Sequence, residues 1–265
     1  MGVRVLVSAV LLSLVANAAQ AQIQEQWVSL FNGHDLTGWT PKIRGFEHGE
    51  DPADTFRIED GLLTVSYAGY TQFNNQFGHL FYQTLYSHYR LRLDYRFIGE
   101  QAPGAPGWAF RNSGVMVHSQ NPTTMPPAQD FPISVEVQFL GGLGDGKDRP
   151  TANMCSPGTH IVYRGVFTKT HCINSTAPTF HDDQWVHVEV LVRGDEQVVH
   201  FVNGQKVMEY GGLTTGGGVV SGHREEMKPE GRPLKSGYIS LQSEGHPIQF
   251  RNIELMDWGR GKVRE

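Results

Sequence analysis

The residues of this chain best suited to chemistry fall in two short stretches. Asn112-Ser113-Gly114 is followed by an imidazole at His118, and Glu136-Val137-Gln138 places a carboxylate and an amide two residues apart. In an extended segment side chains alternate between faces with period two. Asn112, Gly114, Met116 and His118 then share one face of a strand, and Ser134, Glu136 and Gln138 share the face opposite Val135, Val137 and Phe139. The same alternation sets His160 and Arg164 on the face away from Ile161 and Tyr163. If these strands pair, a His, a Glu, amides and an Arg converge, which is the set of donors and acceptors that a sugar requires. The outer face of any antiparallel sandwich strand is polar for solvation alone, so spacing by itself leaves both readings open. On such a face a carboxylate whose pKa is raised by burial can act as a base. Gln138 suits hydrogen bonding better than proton chemistry, and Asn112 can equally cap a turn or bulge beside Gly114.

Several common chemistries are missing. No serine nucleophile elbow, zinc-protease helix motif or phosphate-binding loop occurs. His79, His171, His181 and His187 show no recognised ligand spacing, so the sequence leaves a metal undetermined. Charged residues are 18% of the chain, net charge is -5, and Lys and Arg are scattered. That lacks the electrostatic footprint of a nucleic-acid binder and fits a small neutral or polar substrate.

The elements that must position these groups read as strands. Short alternating runs are separated by Gly, Pro, Asn and Asp, with no useful 3.6-residue apolar stripe. From Tyr89 to Phe97 every odd position is apolar and every even one charged, and Val186, Val188, Val190 and Val192 alternate with His187, Glu189 and Leu191. Strands that bury one side each predict an all-β fold, a two-sheet antiparallel β-sandwich. Asn203-Gly204 between strand-like runs predicts a tight hairpin. Gln101–Gly107, Asn121–Pro132 and Thr214–Ser236 read as loops over the surface. Trp39, Trp185 and Trp258 read as packing residues.

The N-terminus carries Arg4, an apolar run from Val5 to Val15 and Ala19-Gln20-Ala21. This predicts an export signal over 1–21 and a single domain over 22–265. The apolar run is shorter than the roughly 20 residues that span a bilayer, so no membrane span is expected. The protein is accordingly expected in the periplasm or outside the cell. Cys155 and Cys172 are the only cysteines; in an exported chain they are expected to pair, closing a loop of about 17 residues worth on the order of 3 kcal/mol. Two free thiols, or half a metal site, are the alternatives.

Leu30-Phe31-Asn32-Gly33 with Asp35-Leu36-Thr37-Gly38-Trp39 opens the domain, and Gly237-Tyr238-Ile239-Ser240-Leu241-Gln242 running to Phe250-Arg251-Asn252-Ile253 closes it. With the two internal motifs between them, these ends resemble the secreted 3-keto-disaccharide hydrolase family over roughly residues 27 to 258. The resemblance implies a concanavalin-like jelly roll, a small carbohydrate substrate oxidised at carbon 3, and an upstream sugar oxidoreductase that supplies it. It further implies a base near carbon 2, either His118 or Glu136. Arg111, Arg164 or a bound divalent cation would stabilise the enolate; no other cofactor is expected. Asn112, Gln138, His160 and Gln242 complete the expected substrate contacts. A noncatalytic carbohydrate-binding module on the same fold is the alternative reading, and an adhesion or scaffold protein a third.

Overall fold

A computed structural model of the protein describes residues 26–259. The expected export signal lies outside the described residues. Seventeen strands follow one another: β1 Val28–Ser29, β2 Trp39–Ile43, β3 Phe56–Glu59, β4 Leu62–Val65, β5 Gly78–Tyr82, β6 His88–Phe97, β7 Asn112–Ser119, β8 Val135–Leu140 and β9 Asn153–Cys155. They continue with β10 Thr159–Tyr163, β11 Val166–Thr168, β12 Cys172–Ile173, β13 Val186–Arg193, β14 Gln197–Val202, β15 Gln205–Thr215, β16 Tyr238–Ser243 and β17 Ile248–Asp257. Among the described residues no helix is long and apolar enough to cross a membrane.

The strands form two antiparallel sheets. One has ten strands in the order β11-β10-β15-β14-β13-β6-β17-β4-β3, with β1 beside β17, and the other has seven in the order β12-β9-β8-β7-β16-β5-β2. This is the expected two-sheet sandwich of the concanavalin-like jelly-roll class. Its core lies between the sheets. Tyr89, Leu91, Leu93, Tyr95 and Phe97 of β6 and the four valines of β13 point inward and meet Val115, Val117, Val135, Val137 and Phe139 of the seven-stranded sheet. Tyr95 and Phe139 stack with ring centroids 4.3 Å apart. Outward-facing Arg92 of β6 pairs instead with Glu254 at 2.6 Å. The Asn203-Gly204 turn joins β14 to β15 with φ of 49° and 79°, the left-handed conformations that a two-residue hairpin of this kind requires.

Two features depart from simple alternation. Between Ser119↔Tyr238 and Met116↔Ser240 the β7–β16 pairing shifts, so Val117 and His118 together oppose Ile239. His118 takes φ +52° in this bulge. The backbone of Gly237 passes close by, and a Cβ there would stand 2.3 Å from the His118 carbonyl carbon. Second, every residue of β7 is buried, so this strand has no solvated face. The loops predicted to run over the surface fold onto the outer face of the seven-stranded sheet. Asp130 and Ser221 join two of them through hydrogen bonds of 2.6 and 2.9 Å, and Pro127 accepts from the Gly45 amide at 2.7 Å. A bare jelly-roll sheet thereby becomes the floor of an enclosed site.

Candidate active site

Adjacent strands bring one set of polar side chains together on that covered face. Glu136 and Gln138 rise from β8, Asn112 from β7, and Glu244 from the end of β16. They line a cavity of about 350 Å3 together with Leu140 and Arg149. Its walls come from Trp108, Phe131, Pro157, His171, Cys172 and Val219. The wall of β9 and β12 is fixed by the Cys155–Cys172 disulfide, which joins residues directly opposite in the ladder. Cys155 also sits opposite Glu136, so the cross-link braces the strand beside the carboxylate.

Gly114 makes the geometry possible. It lies between Gln138 of β8 and Gln242 of β16, and a Cβ at this position would stand 2.8 Å from Glu136 Oε1. Glu136 thus leans across a strand that has no side chain in its way. It is only 5% exposed, and Oε1 has no hydrogen-bond partner among the described residues. Burial pushes its carboxyl well above the ordinary carboxylate range, and the nearby Glu244 pushes it further in the same direction. Glu244 is raised as well, again by burial, but Arg149 opposes that rise. Two buried carboxyls this close resist ionising together. Arg149 favours the charge on Glu244, raised to about 8, so that of the two carboxyls Glu244 is the first to ionise.

Arg149 is itself fixed in place. Its Nη1 donates to the carbonyls of Phe110, Gly141 and Arg111 at 2.7, 2.7 and 3.2 Å. Asn112 donates weakly to the Trp108 carbonyl at 3.4 Å, and its Oδ1 has no hydrogen-bond partner among the described residues. Gln138 accepts from Asn153 at 3.2 Å. The cavity therefore offers a proton donor, a proton acceptor, a guanidinium and amides beside the indole of Trp108.

Of the residues expected at the site, Asn112, Glu136 and Gln138 meet in the cavity, and Gln242 lies on the same face next to Gly114. Four others do not join them. His118 is turned inward by the bulge. Its Nε2 donates to the Gly194 carbonyl at 2.9 Å and its ring packs edge-on against Tyr89; burial lowers its pKa to about 4. A shift of one residue in pairing flips a side chain to the opposite face, and this overturns the shared face expected for His118 and Asn112. His160 belongs to the ten-stranded sheet, where Nε2 meets Glu230 Oε1 at 3.1 Å under the 214–236 loop. Arg164 occupies the β10–β11 turn with φ +51° and lies over the ring of Tyr163. It borders a shallow groove of about 880 Å3 whose carboxylates, Glu196 and Glu209, are exposed. That larger groove has no buried carboxyl; the one desolvated titratable group on its described lining is the phenol of Tyr210. Arg111 directs its guanidinium to the Asp182 carbonyl at 3.2 Å, and only its backbone oxygen serves the site, as an acceptor for Arg149.

Glu244, Arg149, Trp108 and Phe131 are the site residues that the sequence reading did not reach. Glu244 follows Gln242 by two, so alternation carried past the end of β16 places both on one face. Arg149 sits in an irregular segment that carries no such signal. The histidines weighed as a metal cluster are dispersed. Among the described residues three metal-type side chains come within 4.8 Å of one another only at Cys155, His171 and Cys172, and there both sulfurs are committed to the disulfide.

Comparison with known proteins agrees with this architecture. A crystal structure from Parabacteroides distasonis ATCC 8503, assigned provisionally as a glycosyl hydrolase, superposes with a TM-score of 0.52 at 19% identity, covering 88% of this chain and 99% of that one. A second one from the same organism, described in the same terms, gives 0.48 at 21% identity over 87% and 93%. No curated protein sequence matches significantly. The sequence profile described as the 3-keto-alpha-glucoside-1,2-lyase-like domain matches residues 26–256, and the chain belongs to that family of carbohydrate-active domains.

Proposed function

We propose that this protein cleaves 3-keto-glycosides by removing the proton at carbon 2, with Glu244 as base and Glu136 as acid. The observation that carries the reading is the buried Glu136–Glu244 pair beside Arg149. A ketone at carbon 3 acidifies the hydrogen at carbon 2. Ionised Glu244 takes that proton, and the electron pair forms an enolate whose charge on the 3-oxo oxygen is favoured by the guanidinium of Arg149. The enolate then expels the glycosidic oxygen from carbon 1, and Glu136 supplies the proton that this oxygen needs. Water added across the resulting double bond completes a net hydrolysis.

Asn112 and Gln138 present amides to the sugar hydroxyls, and Trp108 offers an apolar ring face. With Glu136 keeping its proton, Glu244 and the Oδ1 of Asn112, which has no hydrogen-bond partner among the described residues, are the oxygen donors that would hold a divalent cation here. Bound there, the ion would polarise the 3-oxo group. The substrate chemistry calls for an oxidation of the sugar at carbon 3 upstream of this step. Export is supported by the disulfide, which persists in oxidising compartments.

The test is product analysis by mass spectrometry, using 3-keto-glucosides of both anomeric forms and their unoxidised parents, with and without chelator. The proposal expects cleavage of the keto forms alone, lost in Glu136→Gln and Glu244→Gln. Binding of glycans with turnover of neither set would leave a carbohydrate-binding sandwich in its place.

A further inference from the structure

One polar row crosses the covered sheet. Lys42, His79, Gln242, Gly114, Gln138 and Asn153 occupy successive strands at paired or directly continuing positions. Its right half belongs to the cavity just described. The left half, His79 and Gln242, is sealed: both are 0% exposed. Both ring nitrogens of His79 and both amide atoms of Gln242 have no hydrogen-bond partner among the described residues. Four such atoms in one place are costly, because each gives up hydrogen bonds to water without replacement. Lys42 differs, since its ammonium donates to the carbonyls of Ile43 and Phe46 at 3.1 and 2.9 Å.

The ring of Phe131 lies between this buried polar pair and the cavity. Phe131 lines the cavity on one side, and on the other its ring packs edge-on against His79 with centroids 5.8 Å apart. It rests on Phe77, which in turn stacks on Trp108. Phe131 comes from the Asn121–Pro132 loop and is itself partly exposed.

We propose that the sugar site continues beneath Phe131, where His79 and Gln242 form an inner subsite that binds the hydroxyls of a second sugar ring. The inference rests on the carbohydrate reading above but not on its chemistry. Neutral imidazole provides one donor and one acceptor, and the amide of Gln242 provides both kinds as well. Adjacent hydroxyls of a pyranose match that alternation. Turning of Phe131 exchanges an edge-on aromatic contact for stacking on a sugar face, and on the sheet itself Gly114 stands between Gln242 and the strand of Glu136.

The imidazole signals of His79, assigned by their loss in His79→Phe, report occupancy by NMR, and the Trp108 indole signal reports the outer cavity. The probes are maltose, cellobiose and trehalose added to the wild-type protein. The proposal expects at least one disaccharide to move both signals, and expects His79→Phe to keep its thermal midpoint while binding that disaccharide at least about tenfold more weakly. Movement of Trp108 with His79 unchanged would overturn it, as would immobility of both or wild-type affinity in His79→Phe. A disaccharide that moves His79 in a protein that cleaves no 3-keto form would sustain the subsite and remove the proposed reaction.

Discussion

A carboxyl that leans over a glycine and away from water can hold its proton at neutral pH, and that is the condition Glu136 meets. Replacing Gly114 by Ala would set a methyl 2.8 Å from Glu136 Oε1 and 3.0 Å from the Val137 carbonyl. The carboxyl must then move, and Gly114→Ala is expected to lose roughly 100-fold in kcat/KM, measured on a 3-keto-glucoside, while remaining folded. Glu136→Gln tests the electrostatics separately. A carboxyl raised by burial favours folding at pH values below its unfolded pKa, and that contribution is lost as pH rises through the folded pKa. Glu136→Gln therefore gains stability over wild type from above about pH 5 onward, by on the order of 1–3 kcal/mol at pH 8 in urea unfolding. A constant difference from pH 5 to pH 8 would mean that the carboxyl is not raised.

At the scale of elements, the site depends on a cross-link and a bulge. The Cys155–Cys172 bridge holds β12 on β9 next to Glu136. The Cys155→Ser/Cys172→Ser double variant is expected to lose about 3 kcal/mol in urea unfolding; an unchanged midpoint would mean that the sheet edge needs no staple. The strands themselves were legible. In β6 and β13 the period-two pattern is strict, because each has one face in the core and the other in solvent. In β7 the same rule fails at His118. Nothing local marks the bulge, where Gly237, just before β16, passes close to the His118 backbone. His160 and Arg164 lie away from the cavity for a related reason. Alternation reports which face of a strand a residue takes but not which sheet the strand joins, and β10 pairs with β15. The covering loops were legible as loops, and only their packing onto the sheet turns its polar face into a cavity.

For the molecule as a whole, burial of titratable groups sets the pH range of stability. His79 is pushed down to about 3, and His118, His200 and His246 to about 4, in each case mainly by burial. A depressed histidine stabilises the fold above its unfolded pKa of about 6.5, and that contribution is lost as pH falls, by up to about 1.4 kcal/mol per pH unit for each. Glu136 and Glu244 act in the opposite sense as pH rises above about 4.5. Four histidines outweigh two carboxyls below pH 6.5, and the carboxyls alone act above it. The thermal midpoint is therefore expected to peak near neutrality and to fall on both sides, measured from pH 4.5 to 8.5. A midpoint that climbs steadily toward pH 4.5 would contradict this balance.

Removal of the proton at carbon 2 by a buried carboxylate is open to measurement by isotopic substitution at that carbon. Cleavage of a 3-keto-glucoside carrying deuterium at carbon 2 would be timed against the unlabelled compound. A slower reaction of the labelled substrate is expected, with activity toward both lost in Glu244→Gln. Equal rates, with release of the glycosidic oxygen in both, would place bond cleavage outside the enolate route and contradict the assignment of Glu244 as base.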